Sequence, residues 1–249
     1  MHIYYENKKI LEIDSSSPKI TNKNFIKSNQ LAHHFFDESN RVPDVYRFDY
    51  SKKIIKVRDS IPDITNHNKR IVIILESPHK DEYKYFDECG NKIILPKRGN
   101  CSDIIQGAMK MEPVFPAMGT TGANLEKYLK EVIIPIIDED KKYEVIICNP
   151  VPYQTSLFVL HGQSLTNSKK LKRNVWNALW SEEKIKCDFA NRIVSYNPSI
   201  IVNCCTYLFK RKISKFLISL KLDTKLYEST HPSSWNNKKN RKSIIYGNN

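Results

Sequence analysis

Three short segments each release chemically able side chains directly after an apolar run. In IVIILESPHK, residues 71–80, five apolar residues lead into Glu76, Ser77, Pro78, His79 and Lys80. In EVIICNPVPYQ, 144–154, the exit carries Asn149, Pro150, Val151, Pro152, Tyr153 and Gln154. In TKLYESTHPSSW, 224–235, it carries Ser229, Thr230, His231, Pro232, Ser233, Ser234 and Trp235. A carboxylate can orient a water or support a developing cation, and an amide offers a donor and an acceptor together. A neutral imidazole can donate to an oxygen on which negative charge builds. Proline beside each group fixes the chain as it leaves the strand and removes a backbone donor.

Such groups meet only if the runs lie side by side. The runs 71–75, 144–148 and 199–205 lack the alternation of a half-exposed strand, as expected of strands buried on both faces of a parallel sheet. TKLYE, 224–228, reads as a fourth, weaker strand. Helical stretches separate them. TGANLEKYLKEVI puts Leu125, Tyr128, Leu129, Val132 and Ile133 on one stripe and is ended by Pro135. SEEKIKCDFANRIVSY opens on Ser181 as an N-cap, and TYLFKRKISKFLISL follows the third run. The order β-α-β-α-β-α-β predicts an α/β domain: three layers, α/β/α, around a mostly parallel four-stranded central sheet. In open sheets of this kind, ligands sit at the carboxyl ends of the strands.

Residues 1–69 read differently, as an N-terminal β-rich elaboration. HIYYENKKILEI predicts two short strands around Glu6-Asn7, and VYRFDYSKKIIKVRD a second hairpin around Ser51-Lys52. The division expected is 1–69 for the elaboration and 70–249 for the α/β domain. The pair His33-His34 is expected to serve local packing.

The chain has 249 residues, 40% of them hydrophobic, and a formal net charge of +13, which favours a polyanionic partner. Lysines on solvated faces are the bland account of the same excess. No apolar run approaches the roughly 20 residues of a membrane span. The N-terminus lacks the layout of a signal peptide, so a cytoplasmic protein without membrane contact is expected. None of the six cysteines forms a Cys-x-x-Cys pair, so neither a disulfide framework nor a zinc site is expected. No obligate protein partner is evident.

Taken in order, LESPHK, IICNPVP and THPSSW resemble the motifs of the uracil-DNA glycosylase superfamily. That superfamily carries a GQDPYH, GEAPG or GMNPG motif after its first strand, an Asn after its second, and HPSPL or a relative after its fourth. TTGANLEKYL resembles the helix that follows the first motif. The resemblance covers roughly residues 70 to 240.

The resemblance implies a base pocket. Cleaving an N-glycosidic bond needs stabilisation of the departing base, support for an oxocarbenium-like sugar and an oriented water. His231 would donate to a base oxygen, and Asn149 would read the base edge. Glu76 falls at the Gln or Glu of the first motif, and Ser77 stands where an Asp is usual. Water activation would then pass to Glu76 with Ser77 assisting, and which of the two orients the water stays open. His79 replaces a Tyr that blocks 5-substituted bases, implying more room there, beside Pro78. Phe115 is the candidate for stacking on the base. Trp235 takes the place of the Leu wedge, with Ser233, Ser234, Lys238, Lys239 and Arg241 meeting DNA phosphates. A second basic run, residues 168–173, could grip a flanking strand. Each residue also has an ordinary account: a capping His231, an ion-paired Glu76, a turn-forming Asn149, a core Phe115.

The function expected is therefore a monofunctional DNA glycosylase that acts on a flipped-out modified or damaged pyrimidine and leaves an abasic site. Defence against phage DNA with modified cytosines would suit the altered pocket. No metal, cofactor or iron–sulfur cluster is expected, and Lys80 is not expected to act as a Schiff-base nucleophile. The alternatives are a uracil-DNA repair glycosylase, a catalytically degenerate DNA-binding sensor, and a hydrolase of free nucleosides.

Overall fold

The structure, a computed structural model, describes residues 1–13, 33–49, 69–94, 110–138, 141, 143–157 and 169–246. The hairpin expected around Ser51-Lys52 falls outside the described residues. The chain is mixed α/β, with several sheets and, among the described residues, four α-helices. It divides into two compact units, each assembled from three stretches. One holds residues 1–42, 77–114 and 151–182; the other holds 43–76, 115–150 and 183–249. The units therefore do not meet at a single division between residues 69 and 70.

The first unit begins with β1 (His2–Tyr5) and β2 (Lys8–Glu12), paired antiparallel as the sequence suggests. The connecting Glu6 and Asn7 both have positive φ, 46° and 66°, the conformation a tight two-residue hairpin turn demands. β3 (His33–Phe36) adds parallel to β1. A second sheet is formed by β6 (Tyr83–Phe86), β7 (Lys92–Ile93) and β8 (Lys110–Pro113). The basic residues from Lys169 to Arg173 open a helix, α2 (Lys169–Ser181), whose Trp176 and Trp180 are buried and stacked at 5.4 Å.

The second unit contains a six-stranded sheet. Its strands are β4 (Val45–Asp49), β5 (Lys69–Ile74), β9 (Tyr143–Cys148), β10 (Ile200–Asn203), β11 (Lys225–Ser229) and β12 (Ser243–Ile245). Their order is β12-β11-β10-β5-β9-β4. The four inner strands are mutually parallel, and β4 and β12 flank them antiparallel, so the sheet has six strands and not four. Part of the expected elaboration and the basic C-terminal tail supply those edges.

Burial follows the pleat of the strands. Ile71, Ile73, Val145, Ile147, Ile200 and Val202 cluster with Leu125, Leu129, Val132 and Ile133 of α1 (Thr120–Ile133). The alternate positions Val72, Ile74, Ile146, Cys148 and Ile201 are equally buried. On their side Arg192 of α3 (Glu183–Tyr196) reaches Cys148, and Ser214 of α4 (Tyr207–Ser219) bonds Asn203 at 2.8 Å. At the end of α2 the Ser181 hydroxyl donates to the Ala178 carbonyl at 2.6 Å. Among the described residues, no helix is long and apolar enough to cross a membrane.

Candidate functional site

The strand order brings three of the anticipated groups to one edge. Glu76 follows β5, Asn149 follows β9 next to it on one side, and His231 follows β11, two strands away on the other side, all of them parallel. Adjacent strands lie about 4.8 Å apart, so Glu76 and Asn149 leave one strand apart and His231 two strands from Glu76. At β5 the strand order also reverses: β9 lies on one side and β10 on the other, the topology that opens a crevice at the carboxyl ends.

Glu76 is 3% exposed. Its Oε2 accepts from the Thr206 backbone N–H at 3.2 Å and from the Thr206 hydroxyl. Thr206 is the residue from which α4 starts, so the carboxylate is held where the helix presents its first N–H groups.

Asn149 is 2% exposed, and among the described residues its side-chain oxygen, buried from solvent, has no hydrogen-bond partner. Its position is set from behind. Arg192 donates from Nη2 to the Asn149 backbone carbonyl at 3.0 Å, from Nη1 to Asp44 at 2.6 Å and from Nε to Asp188 at 2.9 Å. Tyr196 donates to the same Asp44 carboxylate at 2.8 Å. Burial works against the Arg192 charge. The Asp44 carboxylate outweighs it, aided by Asp188, and the guanidinium is held protonated well above its ordinary range. Burial and Asp44 together push the Cys148 thiol well up, so it stays neutral.

His231 is partly exposed. Its Nδ1 lies 2.9 Å from the Ser233 hydroxyl and accepts from the Ser233 backbone N–H at 3.3 Å. With Nδ1 acting as an acceptor, a neutral ring carries its proton on Nε2. This is the capping geometry of the ordinary account, and the same geometry sets the tautomer that a hydrogen-bond donor would need. The turn is tied down on several sides. Asn124 of α1 donates to the Pro232 carbonyl at 2.9 Å, and Ser234 donates to the His231 carbonyl at 2.8 Å.

Two anticipated DNA contacts are corrected. Trp235 is not an exposed wedge. It is 0% exposed, packs in the α1 core, and donates its indole N–H to the Thr230 carbonyl at 3.1 Å. Arg241 is not presented to a phosphate. It forms two bonds to Glu131 at 2.9 and 3.0 Å, lies 3.6 Å from the Tyr128 ring centre, and donates to the Trp235 and Asn236 carbonyls. Ser234 spends its hydroxyl within the turn, whereas Ser233, Lys238 and Lys239 are exposed.

Ser77, Pro78 and His79 belong to the other compact unit. There the Ser77 hydroxyl lies 2.9 Å from that of Thr155, and the His79 N–H donates to the buried Glu82 carboxylate. Pro78 is buried. With its amide turned to satisfy both ends, Gln154 donates to the Pro78 carbonyl at 2.6 Å and accepts from the Lys80 N–H at 2.9 Å. Lys80 pairs with Asp81 at 2.9 Å. Phe115 is half-buried in the stretch leading to α1.

Thr206, Arg192, Asp44 and Asn124 were not anticipated. Thr206 alone carries a local signal, since it directly follows the third apolar run just as the other groups follow theirs. Among the described residues, no group of three or more His, Cys, Asp or Glu side chains is arranged to hold a metal. The fold defines the chain as a mixed α/β protein. No protein-family model, no curated protein and no solved structure matches it.

Proposed function

We propose that this chain is a monofunctional DNA glycosylase that hydrolyses the N-glycosidic bond of an extruded, modified or damaged pyrimidine. The observation that carries the reading is the Asn149 amide oxygen. A buried acceptor without a donor costs about 1–3 kcal/mol, and a ring or exocyclic N–H of a pyrimidine would satisfy it. Two neighbours support the same reading. The anchored Glu76 carboxylate is suited to orient water or to stabilise a cationic sugar. The Nε2–H of His231 is suited to donate to a base oxygen as the bond breaks. The sheet is read here as the centre of a three-layer α/β/α domain with its ligand at the carboxyl edge.

The roles proposed for Ser77, Pro78, His79 and Phe115 follow from the motif resemblance alone. So does the proposed substrate choice, a pyrimidine enlarged at position 5, and with it a part in defence against phage DNA with modified cytosines. Uracil is the competing substrate. A second reading, a DNA-binding sensor, is favoured by Ser77 in the place of an acid and by the engagement of Glu76 with Thr206. The test is incubation with DNA carrying a panel of modified bases, with mass analysis of what is released. Released base and alkali-labile sites, lost in Glu76→Gln and in His231→Ala, are expected. Tight, salt-sensitive binding without any released base would favour the sensor and overturn the enzyme.

A further inference from the structure

Tyr207, the first residue of α4, is 92% exposed, and Leu208 beside it is 40% exposed. A single apolar residue at the surface is ordinary. Three features set this one apart. It directly follows Thr206, whose N–H and hydroxyl hold Glu76, so it stands at the functional edge of the sheet. It heads a stripe at helical spacing, Tyr207, Arg211 and Lys215, all exposed and rising about 12 Å along the helix. And α4 carries four basic residues and no acidic one, so the stripe has no anion of its own helix to pair with. Exposed Lys238 and Lys239, after the adjacent strand β11, add charge of the same sign at that edge.

We infer that this face docks a single strand of DNA. Tyr207 is the platform on which a base stacks, and Arg211 and Lys215 bind successive phosphates. A polar-tipped aromatic open to solvent, followed by cations in line, matches the requirements of single-strand binding: a π-face for bases and a positive track for the backbone. With Trp235 buried in the core, Tyr207 is an exposed aromatic that this edge offers to nucleic acid. The inference rests on the reading of the edge as a DNA site, and its test separates the two.

The probe is a short fluorescein-labelled single-stranded oligothymidine, followed by anisotropy across a salt series with the full chain. Tyr207→Ala is expected to raise Kd about tenfold with the salt slope unchanged, and Tyr207→Trp to restore binding. Arg211→Ala with Lys215→Ala is expected to lower the slope of log K against log salt by about 0.7 for each phosphate no longer neutralised. Unchanged urea midpoints in these surface variants would show the fold intact. Wild-type affinity in Tyr207→Ala overturns the inference, as does absence of binding at low salt. Binding to phosphatidylserine vesicles that depends on Tyr207, with DNA affinity unaffected, overturns it in favour of a lipid surface. If no base is released from any DNA but these effects hold, the glycosylase reading falls and the docking face stands. If base is released and Tyr207→Ala binds normally, the reverse follows.

Discussion

Arg192 donates to the backbone carbonyl of Asn149 at 3.0 Å while its other nitrogens are committed to Asp44 and Asp188. The residue that would read the base thus hangs from an ion pair formed with the segment just before β4. Arg192 and Asp44 are largely buried, 14% and 6% exposed, so removing one partner strands the other. Arg192→Met is expected to cost about 3–5 kcal/mol in urea unfolding, and Arg192→Lys less, because it keeps the charge. A loss under about 1 kcal/mol in Arg192→Met would mean that the cluster does not hold the turn.

Trp235 gives a second expectation. As a wedge it would be dispensable for folding. As a fully buried member of the α1 core it is not. Trp235→Ala is expected to lower stability by about 3–5 kcal/mol, read as a fall in the denaturation midpoint. A variant with unchanged midpoint and weakened DNA binding would reinstate the wedge.

Thr206 links α4 to Glu76. Thr206→Val keeps the shape but deletes the hydroxyl donor and is expected to cost about 1.5–3 kcal/mol, the range for a hydrogen bond to a charged group. Thr206→Ser should restore most of it. Equal midpoints for the Val and Ser variants would show that the hydroxyl adds nothing to the hold on the carboxylate.

Alkali offers a fourth test. Burial raises the Cys204 thiol from 9.0 to about 12 and pushes Cys205 well up in the same direction. An acid whose folded pKa is raised keeps its full contribution below the unfolded value and loses it as pH climbs toward the folded one. Stability is therefore expected to fall between pH 9 and pH 12, by about 1.4 kcal/mol per pH unit for each such thiol. Cys204→Ala should make that decline shallower. By mass spectrometry, iodoacetamide at neutral pH should modify exposed Cys89 and Cys187 and spare Cys148, Cys204 and Cys205.

The strands and helices of the sheet unit were legible because their signals are local. The Ile- and Val-rich runs at 71–75 and 145–148 read as a doubly buried strand or a short buried helix, and their length decides. The α1 stripe and the Glu6-Asn7 turn are equally local, and both formed as read. The shared edge of Glu76, Asn149 and His231 was legible from parallel order alone. What escaped was set by partners far away along the chain. Arg241 reads as a phosphate ligand until Glu131, 110 positions earlier, claims it. Trp235 lies between serines and asparagines, a surface pattern by composition, yet the short turn at Pro232–Ser234 aims it inward and the Thr230 carbonyl satisfies its N–H. The antiparallel edges β4 and β12 carry no pattern that names β9 and β11 as partners.

The alternation of the chain between its two compact units, in six stretches, bears on how such a protein could be dissected or inherited. A fragment starting at residue 70 would surrender β4 and Asp44 together. That would bare one side of β9 to whatever strand offers itself and leave the buried Arg192 guanidinium with Asp188 but without Asp44. No single breakpoint in the gene transfers either unit whole.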